Sequence, residues 1–398
     1  MRLLMVAPGP PAVGGKGYQV RLYHQILGLA ERHEIFLVTF APGDELEPEL
    51  VAACRRVTKV PWSLPAAFVT ALAHAASLPI SVALFRSHSM AAALTEQLST
   101  ANPDLVQLQL VRMAPYLERL SSVPVVLDLL DAAELNMRER ARAARPGARQ
   151  LLEVEAGRLG AYEKKAVART DLSLLISGRD LEYIGNPRNA RVLPNGIDPE
   201  EMSAAPRERR PATVIFSGTM SYFPNADAAT WFARDILPLV RGAIPSVMFR
   251  IVGREPTPAV RQLASLPGVT VTGSVPQISE EIAGATVSVC PMRFGSGMQT
   301  RILEAMAAGT PVVATPKAME GIPDDLHRFV HQADSADAFA AEVVRILSHP
   351  EPASQLAADG LDAIRRDHTW RRHVRDLEDL YAEAISSATT GRRGLRQP

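Results

Sequence analysis

The sequence predicts an α/β protein made of two doubly wound, Rossmann-like domains. Three observations predict it. Short apolar, β-branched runs alternate with longer helical patterns along the whole chain. The runs are near-continuously apolar, as parallel strands covered on both faces must be. The alternation then restarts after a polar, proline-flanked stretch at Ser203 to Pro211. A chain of 398 residues fits two or three domains at roughly 150 residues each.

In the first domain, Leu3 to Ala7, Ile35 to Phe40, Leu105 to Leu110, Val123 to Asp128 and Leu172 to Ile176 read as strands. Gln19 to Arg32 and the long, charged Glu134 to Ala168 read as helices between them. Val192 to Asp198, VLPNGID, closes the unit on the turn residues Pro194, Asn195 and Gly196. Thr213 to Ser217, Met248 to Val252, Val269 to Thr272, Val287 to Cys290 and Pro311 to Ala314 supply the second set of strands. Trp370 to Ile385 is amphipathic and is expected to pack back toward the first domain, and the ending TTGRRGLRQP reads as a loose tail. The expected limits are 1–198, 199–369, 370–388 for the returning helix and 389–398 for the tail. Two such domains facing across a cleft bind ligands at the carboxyl ends of their strands.

Charge and composition exclude several functions. The 43 Lys plus Arg balance 43 Asp plus Glu, and basic residues occur only in short clusters such as Arg207 to Arg210. A protein that grips nucleic acid through its phosphates carries a basic excess, so no nucleic-acid partner is expected. Cys54 and Cys290 are isolated, which leaves no disulfide framework and fits a reducing, cytoplasmic location. The opening MRLLMVAPGPP has too short an apolar run for a signal peptide and reads as a first strand. Val60 to Phe85 contains no Asp, Glu, Lys or Arg and is long enough to span a bilayer. Pro61, Pro65, Pro79 and His74 interrupt it and argue against a continuous span. A buried helix with its loops, or a surface at 60–85 that touches lipid at the inner membrane face, are the remaining readings.

Two glycine turns could hold phosphate. Gly14-Gly15-Lys16-Gly17 follows the first strand and precedes a helix starting near residue 18. It misses a P-loop, because Gly15 stands where the lysine belongs and Gly17 where a Ser or Thr belongs. Such a loop is either an anion cradle or a plain tight turn. The second turn has more features together. The strand ending at Cys290 runs through Gly295 and Gly297 into a helix-forming run, Gln299 to Ala307, which Gly309 and Pro311 close. The first N–H groups of that helix can take up an anion. Arg301 in its first turn can bond phosphate bidentately, and Glu304 on the same face can accept ribose hydroxyls. A surface ion pair is the alternative.

No metal site is expected. His327 and His331 lack the glutamate of a metalloprotease helix, no Asp-x-Asp triplet occurs, and Gly295-Ser296-Gly297 is too tight for a nucleophile elbow.

The stretch Ile302 to Ala314, ILEAMAAGTPVVA, resembles the donor-site helix and following strand of retaining glycosyltransferases of family 4, which have the GT-B fold. VLPNGID at 192–198 resembles that family's interdomain link. Phe216 to Met220 with Pro224-Asn225, and Ile251-Val252-Gly253, resemble the first glycine turns of its C-terminal domain. The resemblance covers nearly the whole chain. It implies that 1–198 is the acceptor-side domain and 199–369 the nucleotide-sugar-binding domain. It also implies that Glu304 binds the donor ribose and that Gly297, Met298, Gln299, Thr300 and Arg301 hold the diphosphate. Gly218, Thr219 and Gly253 would line the donor, and Gly15, Lys16 and Gly17 would lie close to the sugar. Lys16, Asp131 and Arg301 are the implied catalytic groups, Asp131 orienting the acceptor or else capping a helix.

The chain departs from many members in having Ser296 where an earlier glutamate stands, Leu130 where a histidine precedes Asp131, and no basic residue within Gly218 to Asn225. It is similar to a subgroup lacking the first glutamate. The resemblance therefore implies sugar transfer with retention from a nucleotide-diphosphate-sugar, without metal or cofactor, to a glycan, lipid-linked or small-molecule acceptor. A nucleotide-sugar binder or partner subunit without catalysis is the alternative that Ser296 and Leu130 raise.

Overall fold

The computed structural model describes residues 1–394 except 42, 44, 45, 143, 203–208 and 296, and for 390–394 the backbone alone. The chain forms two compact units, Met1–Pro194 with Trp370–Pro398, and Asn195–Thr369. The junction falls at Pro194, a few residues before the expected 198.

The first unit holds a seven-stranded parallel sheet. Its strands are β1 (Arg2–Ala7), β2 (Glu34–Phe40), β3 (Arg56–Val60), β4 (Leu105–Gln109), β5 (Val125–Leu130), β6 (Leu172–Leu175) and β7 (Ala190–Val192), in the order β3-β2-β1-β4-β5-β6-β7. The second unit holds β8 (Thr213–Ser217), β9 (Met248–Val252), β10 (Val269–Gly273), β11 (Val287–Cys290), β12 (Val312–Ala314) and β13 (His331–Gln332), in the order β10-β9-β8-β11-β12-β13. Every pair is parallel, and β1, β4, β8 and β11 are almost fully buried. In each sheet the order reverses once, between β1 and β4 and between β8 and β11. Those are the switch points where doubly wound sheets open a crevice for ligands.

Six helices matter for function: α1 (Gly17–Ala30), α2 (Leu64–His74), α3 (Ala133–Arg142), α4 (Pro146–Val167), α5 (Thr300–Ala307) and α6 (Trp370–Gly394). The single helix expected over 134–168 is two, because Pro146 has no N–H to continue α3 and instead starts α4. The returning helix α6 runs to Gly394, beyond the expected 388, and residues 395–398 of the expected tail lie outside the described residues. β3, β7 and β13 are short edge or near-edge strands that the apolar pattern does not mark.

α6 covers one face of the first sheet. Val374, Leu377, Tyr381 and Ala384 are buried in a cluster with Leu3, Met5, Leu22 and Ile26. A Cβ on Gly28 would stand 2.6 Å from Val374 Cγ2, so α1 and α6 cross at closest approach there. Beneath α6 lies a buried polar network. Arg21 Nε donates to Asp128 Oδ2 at 2.7 Å with both side chains fully buried. Gln25 Nε2 reaches the same oxygen at 3.1 Å, Gln107 Nε2 donates to Gln25 Oε1 at 2.9 Å, and Tyr381 OH donates to Gln107 Oε1 at 2.5 Å. Burial holds His373 neutral, well below the usual imidazole range. Its Nδ1 lies 2.6 Å from Pro194 O and so carries the proton, leaving Nε2 to accept from Gln25 Nε2 at 3.1 Å.

The uncharged stretch from Val60 folds as the end of β3, then α2, then a short helix at Ile80–Ala83. Among the described residues no helix is long and apolar enough to cross a membrane. α2 is built inside out: Ala67 and Ala71 face the interior, while Leu64, Phe68, Val69 and Leu72 are each more than half exposed. On α4, Leu151 and Val154 are exposed as well. Arg158, on that face of α4, donates to Ala75 O and to Leu78 O just past the end of α2, and Glu155 Oε1 accepts from Ser81 N at 3.2 Å. The two helices thus present adjoining apolar surfaces.

Candidate functional site

In the C-terminal unit the switch point is built from three turns. β8 runs into Gly218 (φ +151°), where a Cβ would stand 2.9 Å from Asn225 Nδ2 and 3.1 Å from Arg301 Nη1. β9 runs into Gly253 (φ +150°), where a Cβ would fall 1.7 Å from Gly218 O. Only glycine fits either place. The loop after β11 passes Gly295 and Gly297, both at positive φ, into α5. No side chain caps α5: Thr300 N turns back to Met298 O at 3.1 Å and Ile302 N to Gln299 O at 2.9 Å.

Arg301 is the centre of this site. Its guanidinium lies over the buried Phe216 ring at 4.8 Å, and Nη2 donates to Asn225 Oδ1 at 2.8 Å. Asn225 is in turn fixed by its Nδ2 donating to Thr219 O at 2.9 Å. Nη1 is buried and has no hydrogen-bond partner among the described residues. A buried, unsatisfied charged donor costs about 1–3 kcal/mol or more, a cost that an acceptor brought by a ligand would remove. Glu304, one turn on, is half-buried; burial raises its carboxyl, Arg301 pulls it down and Glu201 pushes it up. Thr219 Oγ1 accepts from Arg254 Nε at 3.1 Å, which puts a basic side chain beside the β8 turn from outside the span Gly218 to Asn225.

In the N-terminal unit the loop after β1 is pinned by Gln19. Its Oε1 accepts from Lys16 N at 2.9 Å and its Nε2 donates to Pro10 O at 2.6 Å. A Cβ on Gly15 would lie 2.7 Å from Gln19 Cβ, and one on Gly17 would touch Leu130 Cδ2 at 3.9 Å, so the loop sits against the end of β5. The Lys16 side chain is exposed. Asp131 follows Leu130, which is held at φ +69°. Burial pushes the Asp131 carboxyl up to about 6, with Asn136 and Arg112 opposing and Asp180 reinforcing the rise. Next to it Glu163 is almost fully buried, accepts from Ala133 N at 2.9 Å, and is pushed up to about 8 by burial.

The structure gathers Gly218, Thr219, Gly253, Arg301 and Glu304 at one switch point, with Gly297, Met298, Gln299 and Thr300 in the loop that leads to them. Gly15, Lys16, Gly17 and Asp131 gather at the other. Ser296 lies outside the described residues. Asn225, the anchor of Arg301, stood in the sequence only as part of the resemblance at Pro224-Asn225, with no role assigned to it. Tyr18 and Arg112 carried no sequence signal. His327 bonds Ile322 O at 3.0 Å, and among the described residues no group of three His, Cys, Asp or Glu could hold a metal ion.

Residues 211–349 match the family model described as Glycosyl transferases group 1. The phosphatidyl-myo-inositol mannosyltransferase of Mycobacterium leprae is 28% identical over 249 residues, covering 60% of this chain and 65% of that protein. Its counterpart from Mycolicibacterium smegmatis is 30% identical over 250 residues, covering 60% and 62%. The chain spans less than two thirds of the length of these relatives. Among solved structures, Anabaena HepE in complex with UDP superposes with a TM-score of 0.65 at 13% identity, covering 96% of this chain and 100% of that one. Sucrose-phosphate synthase from Thermosynechococcus elongatus gives 0.67 at 16%, covering 97% and 99%. These likenesses show the fold: two Rossmann-like α/β domains of the GT-B type.

Proposed function

We propose that this protein is a glycosyltransferase that moves a sugar, with retention and without metal, from a nucleotide-diphosphate-sugar to an acceptor hydroxyl in glycoconjugate or polysaccharide synthesis. The observation that carries the reading is Arg301 Nη1, buried and unpartnered at the switch point beside a glycine that leaves room for an anion. A diphosphate oxygen satisfies it, α5 adds its positive end, and Glu304 accepts the paired hydroxyls of the donor ribose. The naming of the relatives as mannosyltransferases and the UDP bound to HepE support the same class of donor.

In retaining transfer the acceptor oxygen bonds the anomeric carbon on the face from which the diphosphate leaves. The bond to the phosphate oxygen breaks, and the acceptor proton passes to that oxygen. Arg301 stabilises the charge that grows there, Lys16 adds a second cation, and Asp131 orients the acceptor. The apolar surface of α2 and α4 is the peripheral membrane contact of this reading, which suits a lipid-linked acceptor at the inner membrane face.

Incubation with a panel of nucleotide-sugars tests it. Nucleotide release is expected, and tight binding without release would instead favour a non-catalytic binder. Arg301→Ala should lower donor affinity or turnover by about 10- to 150-fold, the worth of a charged hydrogen bond of about 1.5–3 kcal/mol. A change under about threefold would sink the role of Arg301.

A further inference from the structure

A second arginine stands at the other switch point. Arg112 lies in the turn just past the carboxyl end of β4, the strand between β1 and β5. Its guanidinium lies over the Phe85 ring at 5.3 Å and is half-buried. Among the described residues it makes no hydrogen bond and no ion pair. Several other arginines of this unit are paired: Arg138 with Glu134 and Glu153, Arg142 with Glu139, and Arg158 with Glu155. The groups acting on Arg112 are Tyr18, Arg140 and Asp131, so one carboxylate faces two guanidinium groups. Tyr18, in the first turn of α1, reaches back to the loop after β1, where a Cβ on Gly9 would stand 2.6 Å from its hydroxyl.

The backbone beneath this cluster is strained. Leu110 (φ +67°) follows β4 and Leu130 (φ +69°) ends β5, two non-glycine residues at positive φ at the carboxyl ends of adjacent strands. Such conformations cost on the order of 1–3 kcal/mol each and gather at functional sites. Here they stand just before Arg112 and Asp131. A half-buried arginine without a hydrogen-bonded partner among the described residues, at a switch point and next to a hydroxyl and a carboxylate, can receive an anion.

We infer that Arg112, with Tyr18 beside it and Arg140 at its rim, binds an anionic group, phosphate or carboxylate, carried by the acceptor. Asp131 then addresses the hydroxyl that receives the sugar. The acceptor role rests on the glycosyl-transfer reading; the anion site does not.

The full chain, saturated with UDP or GDP to fill the donor site, is titrated calorimetrically with inorganic phosphate, with glucuronate, with dihexanoyl-phosphatidylglycerol below its micelle concentration, and with neutral glycerol. At least one anion is expected to bind and glycerol is not, and the tighter of the free and lipid-borne phosphates identifies the source. Arg112→Gln should weaken the anion by at least tenfold. Arg112→Lys, which keeps the charge but not the fork, should lose less. Thermal melts check that each variant is folded. No anion binding to the wild type, or equal binding to a folded Arg112→Gln protein, overturns the subsite. Failure of UDP and GDP to bind at all would overturn the proposed function and leave the anion result standing.

Discussion

Replacing Asn225 by Asp tests whether Arg301 acts as a counter-charge. The side chain keeps its size, and one oxygen can still accept from Arg301 Nη2, now at 2.8 Å. The amide that donates to Thr219 O at 2.9 Å is lost, and an acceptor faces an acceptor there. The new carboxylate cancels the charge of Arg301. A diphosphate oxygen on Nη1 would lie about 6 Å from it, so at an effective dielectric of about 20 the repulsion is about 3 kcal/mol, roughly 100-fold in affinity. Arg301 stays ion-paired, so the thermal midpoint should move little. Asn225→Ala leaves the guanidinium charged but untethered and should cost about 1.5 kcal/mol, roughly tenfold. Calorimetric titration with UDP and GDP reads both variants. Equal affinity of wild type and Asn225→Asp, or a greater loss in the alanine variant, would show that charge at Arg301 does not hold the nucleotide.

Two further outcomes follow from the N-terminal unit. Glu163 is protonated in the fold up to about pH 8 against an ordinary value of 4.5, so its contribution to stability is complete below 4.5 and is lost as pH rises through 8. Glu163→Gln keeps the acceptor for Ala133 N and cannot ionise. Its stability relative to wild type in urea unfolding should therefore grow progressively from about pH 4.5 to about pH 8, and a constant difference across that window would refute a buried, protonated carboxyl. On the apolar surface, Phe68→Glu with Leu72→Lys should abolish co-sedimentation with anionic vesicles and leave UDP affinity unchanged. Wild-type protein that stays in the supernatant would remove the membrane reading.

Strands covered on both faces announce themselves by near-continuous apolar runs, which is why β1 and β8 were legible. β3 was not, because an edge strand such as RVTKV mixes charge with β-branched residues and reads as polar. α2 was ambiguous for a related reason. With alanines inside and larger apolar residues outside, it has no polar face to set its phase. At the sites, glycines at positive φ left clear marks, whereas Arg112 and Asn225 matter through what lies beside them in space. One arginine among many carries no sign in the sequence of whether a carboxylate will stand beside it. The network around Asp128 was equally hidden, since its members are separated by hundreds of residues in sequence.

The position of α6 reverses the order in which the molecule can be completed during synthesis. Arg21, Gln25, Gln107 and Asp128 are all made early, but His373 and Tyr381, which cover them, emerge more than two hundred residues later. At about 5–20 residues per second that delay is tens of seconds. Throughout it the first sheet has a face with exposed leucines and hydrated amides, while the second unit, continuous from Asn195 to Thr369, gains all its strands before α6 is made. The part of the chain that starts first closes last, and a nascent chain stalled near residue 370 would pair a finished C-terminal unit with an open N-terminal one, a natural target for chaperones.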